Sequence, residues 1–402
     1  MTAVTTAETA SAPADKAARA GGFAAFRLLA LAAVVLIGAA FFFPTWWVSL
    51  KAPNYPEHTF PDGIRIHFHV DGVQNGCVLQ KSKEVEEKEG LDCVHEMDTI
   101  NHFVGMYPIA SGGPVEKTFS PFLFGFLCLL ALGFAIPGNR TRVVVMGTGF
   151  AAVAVWMGVT LYMPGGVKYQ SGSYIRSMVA SLGQAEETKE DESMHPIVRQ
   201  LKESLAKSGI VDETPAVKPG VAGSRSELIA VLKGAFEKDQ ANRLADRQEW
   251  TGTGMQLFAW HYDRSLNRWF MEPEKNNRLI AIMTSVANIL FASVLAAMLA
   301  FLWMARDDRK GWFWFVGLVP MILPVAFLAE YSAWLWWYGH SLNAMGAFTL
   351  KPFMPTVLGQ GKVAQFTTYS YPHIGFGLMV AAGLAMALAL ILRRNALIAA
   401  GK

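Results

Sequence analysis

Six apolar stretches limit what this chain can fold into. A helix that crosses a bilayer needs about 20 mostly uncharged residues, and runs of that kind occupy residues 23–47, 119–136, 143–163, 279–304, 311–337 and 373–392. The 52% hydrophobic content fits six spans better than it fits a soluble chain of this length. Behind the first run stand Pro44, Trp46 and Trp47 rather than a small-residue cleavage site, so it reads as a retained anchor and not a signal peptide. Pro121 and Pro137 bracket the second run and set its expected ends.

Positive charge beside short loops predicts orientation. Lys16, Arg19 and Arg27 flank the first span, Arg140 and Arg142 the turn between the second and third, Arg306, Arg309 and Lys310 the turn between the fourth and fifth, and Arg393, Arg394 and Lys402 the end. With six spans all of these fall on one side, expected to be the cytoplasm, with both termini cytoplasmic. Segments 48–118, 164–278 and 338–372 then face outwards. Trp46, Trp47, Tyr162, Trp334, Trp336 and Trp337 are expected as an outer aromatic belt, and Trp312 and Trp314 as its inner counterpart.

The expected fold is therefore an all-α integral membrane protein. Residues 1–22 form a disordered tail, 23–163 carry three spans, 164–278 form an outer helical lobe, 279–392 carry three more spans, and 393–402 form a cytoplasmic tail. In the lobe, "HPIVRQLKESLAKSG" and "SELIAVLKGAFEKDQANRLADRQEW" show helical periodicity, with Ser226 as an N-cap, and "VDETPAVKPGVAGSR" joins them as a linker. The first outer loop is expected to be small and mixed, with a strand in "GIRIHFHV". No phosphate-cradling glycine loop and no basic run with interleaved aromatics is present, which argues against nucleotide or nucleic-acid chemistry.

All nine histidines lie on the expected outer side or at its boundary, and soft metal ligands concentrate in "CVHEMDTINHFVGMYPI". On a helix, His95, His102 and Met106 are spaced seven and four apart and share a face. Thioether and thiolate favour Cu(I), and imidazole also suits copper; packing is the competing use of the same residues. His67 and His69 would share one face of a strand. Cys77 and Cys93 either form a disulfide in an oxidising compartment or leave Cys93 as a copper thiolate beside His95. Cys128 reads as a buried small hydrophobe. Glu330, an acid within the fifth span, marks a metal or proton site, or else snorkels to the interface or pairs with Tyr331 or a neighbouring helix; His340 lies just past that helix. Covalent haem attachment and a zinc-protease motif are both missing from the sequence.

Five stretches in order, "APNYPE", "INHFVGM", "YGHSL", "KPFMPTVLGQ" and "FTTYSYPHIG", resemble a family of bacterial membrane proteins encoded beside nitrous-oxide reductase and its copper-maturation genes. The resemblance implies a part in supplying copper to that periplasmic enzyme, and puts weight on Asn101, His102, Gly105, Met106, Tyr338, Gly339, His340 and Glu330. The smaller members of that family look like four-span proteins, whereas this chain adds a pair of spans and the lobe between about 143 and 304. "SLNA" stands where the family has an acidic "NLDP", which removes a carboxylate. The inserted lobe inherits no function from the resemblance.

Three functions follow as expectations. The first is a non-enzymatic accessory protein that handles copper at the periplasmic face through His95, His102, Met106, His340, Glu330 and Cys93, with a periplasmic copper enzyme or copper chaperone as partner. The second is a membrane oxidoreductase or electron-transfer subunit with an outer copper or haem. The third is a metal-free docking subunit.

Overall fold

A computed structural model describes residues 12–58, 60–77, 92–193, 223–243, 247–348, 350–363 and 365–399, with the side chains of 12–23, 183–193 and 399 left aside. The charged stretch 81–90, His195 and the helix expected over 195–209 lie outside the described residues.

The apolar runs fold as helices, and three of them depart from their expected ends. The first helix, α1, spans Ala12–Ala40 and stops well short of Trp47, because the chain turns at Phe43–Pro44 and continues as strand β1, Trp46–Lys51. Trp46 is therefore a strand residue only 1% exposed, packed on Phe327, Tyr331 and Phe376, and not part of an interfacial belt. Strands β2, Ile64–His69, and β3, Gly72–Asn75, precede helix α2, Cys93–Phe103. The next helix, α3, runs over Pro114–Ala135 with Pro121 inside it. That proline has no N–H for the Lys117 carbonyl; the Ser120 hydroxyl donates to it instead at 3.0 Å.

Helix α4, Asn139–Tyr162, returns along the bundle. A lobe follows, with α5 over Gly172–Ser193, α6 over Arg225–Asn242 and α7 over Gly254–Leu266. The N-cap of α6 is Ser224, not Ser226: Ser224 and Glu227 form a reciprocal capping box. Tyr174, Met178, Leu232, Phe236, Leu257 and Trp260 make the lobe's own core. Helix α8, Pro273–Met304, re-enters the bundle. The fifth apolar run is broken at Ile322 into α9, Trp314–Met321, and α10, Leu323–His340, and the two halves meet at 54°. Pro320 and Pro324 flank the break and cannot donate into a continuous ladder. Strands β4, Gly359–Val363, and β5, Phe366–Pro372, lead into α11, Ile374–Ala399.

Four helices, Pro114–Ala135, Asn139–Tyr162, Pro273–Met304 and Ile374–Ile398, are long and apolar enough to cross a membrane, and the bent pair would be a fifth span. Leu28, Val35, Val155, Ile289, Leu384 and Leu388 point apolar side chains out of the bundle, as lipid-facing positions do. The chain is a multi-pass membrane protein by these lengths and compositions.

A five-stranded antiparallel sheet in the order β3-β2-β1-β5-β4 caps one end. It joins the segment after the first apolar run to the segment before the last, a pairing that no local pattern announces. At the opposite end Arg142, 2% exposed, donates to the carbonyls of Gly133, Ile136 and Ala305 and meets Asp308 at 3.4 Å, while Arg393 donates to the Asp308 carbonyl at 2.7 Å. The basic clusters flanking the second, fourth and sixth apolar runs thus meet at one end of the bundle.

Candidate functional site

The stretch that opens with Cys93 is only partly helical. Asp92 caps α2 by accepting the N–H groups of Val94 and His95. The helix ends at Gly105, whose φ of +82° is the left-handed conformation that favours glycine. The Gly105 N–H donates to His102 O and the Met106 N–H to Asn101 O, closing a Schellman turn. Met106 lies beyond that turn, so the helical spacing that aligned it with His95 and His102 does not apply.

Each expected ligand has its own local setting. Cys93 is bonded to Cys77, with Cα atoms 5.9 Å apart, so the disulfide reading holds and the thiolate reading of Cys93 is overturned. His95 Nδ1 is buried without a hydrogen-bond partner. His102 stacks on Trp269 at 4.8 Å and 16°. Met106 packs with Trp269 and Trp337 against Tyr107 and Phe270. His340 is exposed, stacked on Trp336, and its Nδ1 donates to the Trp336 carbonyl at 2.9 Å, leaving Nε2 outward. Among the described residues, no three His, Cys, Asp or Glu side chains are already converged as a metal site.

Glu330 is not alone. A Cβ on Gly113 would stand 3.8 Å from both Glu330 Oε1 and Glu116 Oε2, so the two carboxylates face each other across a glycine. The Trp334 indole donates to Glu116 Oε1 at 3.3 Å, and Lys117 Nζ donates to the Ala110 carbonyl at 2.9 Å, within electrostatic range of Glu116, Glu330 and Asp98. Asp98, 1% exposed, accepts the Ile109 N–H at 2.7 Å and faces Arg268 at 3.5 Å. Burial outweighs the arginine and pushes its carboxyl up to about 7. This knot can hold and exchange a proton. Glu116 and Lys117 escaped the sequence reading because they precede the apolar run, although a charged pair at the head of a span was a usable signal.

The sheet carries a second group. His67 and His373 rings lie 5.2 Å apart, and His69 interacts electrostatically with His373. Burial, then neighbouring histidine and arginine charge, lowers His67 and His69 to about 4 and also lowers His373. His261 in α7 is buried, hydrogen-bonded to the Ser181 hydroxyl at 2.7 Å, and pushed down to about 3 by the same desolvation.

The five stretches quoted above gather at the sheet end. β1, which leads into 52–57, pairs with β5. Asn343 N–H donates to Gly105 O at 2.7 Å, Phe353 N–H to Gly339 O at 3.1 Å, and the Tyr338 hydroxyl to the Pro108 and Ile109 carbonyls. No known protein family matches the chain, and comparison with curated proteins and with solved structures found no match.

Proposed function

We propose that the chain is a six-span accessory protein of the bacterial inner membrane, its sheet-bearing end periplasmic and both termini cytoplasmic. It supports the assembly of a periplasmic copper enzyme such as nitrous-oxide reductase and is not itself a catalyst. One observation carries this reading: stretches separated by more than 230 residues, the ones that bear the family resemblance, are built into a single head. The Cys77–Cys93 bridge supports an oxidising compartment for that head. The first helix completes the sixth span, since its apolar part, Ala24–Ala40, is about 25 Å long.

Copper enters as cargo rather than as a resident cofactor. The residues first expected to bind it do not fit one site, since Cys93 is bridged, His102 and His340 are stacked on tryptophans, and Glu330 faces Lys117. The head is therefore read as a surface that works on a partner. In a host that makes the copper enzyme, deleting this gene is expected to leave the enzyme exported with a copper-to-protein ratio well below wild type. Full copper content in the deletion strain would refute the assembly role.

A further inference from the structure

Two histidines of one strand and a third some 300 residues away stand on the sheet face turned away from α2. His67 and His69 are two apart in β2, so both rise from the face opposite Ile64, Ile66 and Phe68, which pack with α2. His373 follows β5, two strands away. Neighbouring strands are about 4.8 Å apart, which would leave these side chains roughly 10 Å from each other across β1. The position between His69 and His373 is Thr45, whose N–H donates to Phe68 O and whose carbonyl accepts the His373 N–H. On the next rung His67 stands opposite Trp47, and its ring leans diagonally toward His373 to 5.2 Å.

We propose that His67, His69 and His373 form a binding site for a transition-metal ion of the zinc and copper class, independent of the assembly role. Three imidazoles with an open fourth position are an established ligand set, and imidazole suits zinc, copper and nickel alike. A metal about 2.0 Å from each nitrogen is about 3.2 Å from each ring centre, so two rings at a tetrahedral angle stand about 5.2 Å apart. The His67–His373 separation matches that figure. Among the described residues no three such side chains already stand as a metal site, so coordination requires the His69 side chain to re-orient toward the His67–His373 pair. Two cations face the group. Arg65 is ion-paired with Asp62 at 3.3 Å and stacked on Trp47, and Arg176 interacts with the buried Asp71, so both are at least partly compensated. The His373 Nδ1 now accepts the Ile374 N–H at 2.8 Å, and coordination exchanges that bond for a metal bond.

The test is competitive titration of the detergent-purified full chain with Zn(II), Cu(II) and Cu(I) against chromophoric chelators. Wild type is compared with His67→Asn, His69→Asn, His373→Asn and the double variant His102→Ala/Met106→Ala. One equivalent is expected in wild type, weakened at least 100-fold in each sheet variant and unchanged in the double variant, with Cu(II) spin resonance showing one fewer coordinated nitrogen per sheet variant. The same thermal unfolding temperature in wild type and variants certifies the fold, and any variant that shifts it is replaced by the Gln substitution. No stoichiometric binding, binding indifferent to all three histidines, or binding lost only in the double variant would overturn the site, and none of these outcomes bears on the copper content of a partner enzyme.

Discussion

Arg268 lies 3.5 Å from Asp98, with 6% and 1% of their side chains exposed, and this contact fastens the segment after α7 to α2 in the head. Removing one member of a buried pair strands the other, which costs about 3–5 kcal/mol. Arg268→Met is expected to lower stability by that order, and Asp98→Asn by less, because the amide still accepts the Ile109 N–H. Because Asp98 is raised to about 7, well above an unfolded aspartate, its contribution is fully present below about pH 4 and is lost as pH rises through 7. Asp98→Asn should flatten that part of the profile, read by thermal unfolding in detergent between pH 4 and 8. An unchanged slope in Asp98→Asn would exclude Asp98 as its source.

Histidines act in the opposite direction. His67, His69 and His261 sit well below the ordinary histidine value, so the unfolded chain takes up protons that the folded chain refuses. Their contribution is complete above about pH 6.5 and is lost as pH falls towards 4. His261→Gln, which keeps a partner for Ser181, should make the protein less sensitive to acid between pH 6.5 and 4.5. Equal acid sensitivity in wild type and variant would count against it.

Much of the bundle was legible in the sequence, because lipid demands long uncharged runs, and each long apolar helix among the described residues overlaps one of those runs. The sheet was not. "GIRIHFHV" announced β2, but β1 was hidden at the end of an apolar run, and β5, which carries β4 on its other edge, pairs with a segment more than 300 residues away. Long-range pairing leaves no local period. The alignment of the candidate ligands was misread for a related reason: Met106 shared a helical face with His102 only if the helix continued, and Gly105 ends it. Glu330 was rightly marked as unusual, but its neighbours Glu116 and Lys117 come from another helix.

The disulfide closes the end of β3 onto the start of α2 across a sequence separation of 16. A loop of that size corresponds to about 3 kcal/mol of lost unfolded-state freedom. Cys77→Ser/Cys93→Ser, or reduction of the wild type, should lower the head's stability by that order and expose amides of α2 to hydrogen exchange first. Protection of α2 unchanged on reduction would show that the head does not depend on the bridge.

Gly105 and Gly339 hold the close approaches that join the head to the loop after α10. A Cβ at Gly105 would stand 2.5 Å from Asn343 O, in a backbone conformation that side chains rarely adopt, and one at Gly339 would overlap Phe353 O. Backbone cannot yield as a flexible side-chain tip can. Each Gly→Ala substitution should therefore cost about 2 kcal/mol or more, with Gly105→Ala adding left-handed backbone strain of about 1 kcal/mol. Limited proteolysis within 341–363 reads the effect, and cleavage rates equal to wild type would contradict the packing described.

At the far end, Arg142 is a single side chain satisfying the carbonyls of Gly133, Ile136 and Ala305 while meeting Asp308, and its guanidinium lies 4.4 Å from the Phe313 ring centre. These partners belong to the ends of α3 and α8 and to the turn that leads into α9. Removing the arginine leaves several buried acceptors without their donor and Asp308 with Arg393 as its remaining ion partner, so Arg142→Ala should destabilise the bundle by about 3–5 kcal/mol. Arg142→Lys keeps the charge but supplies fewer donors in a different geometry, and should recover less than half of that loss. The two variants separate charge from shape: if lysine restores full stability in a detergent unfolding assay, the arginine serves as a bare positive charge, and if it does not, the guanidinium fork is what ties the three segments together.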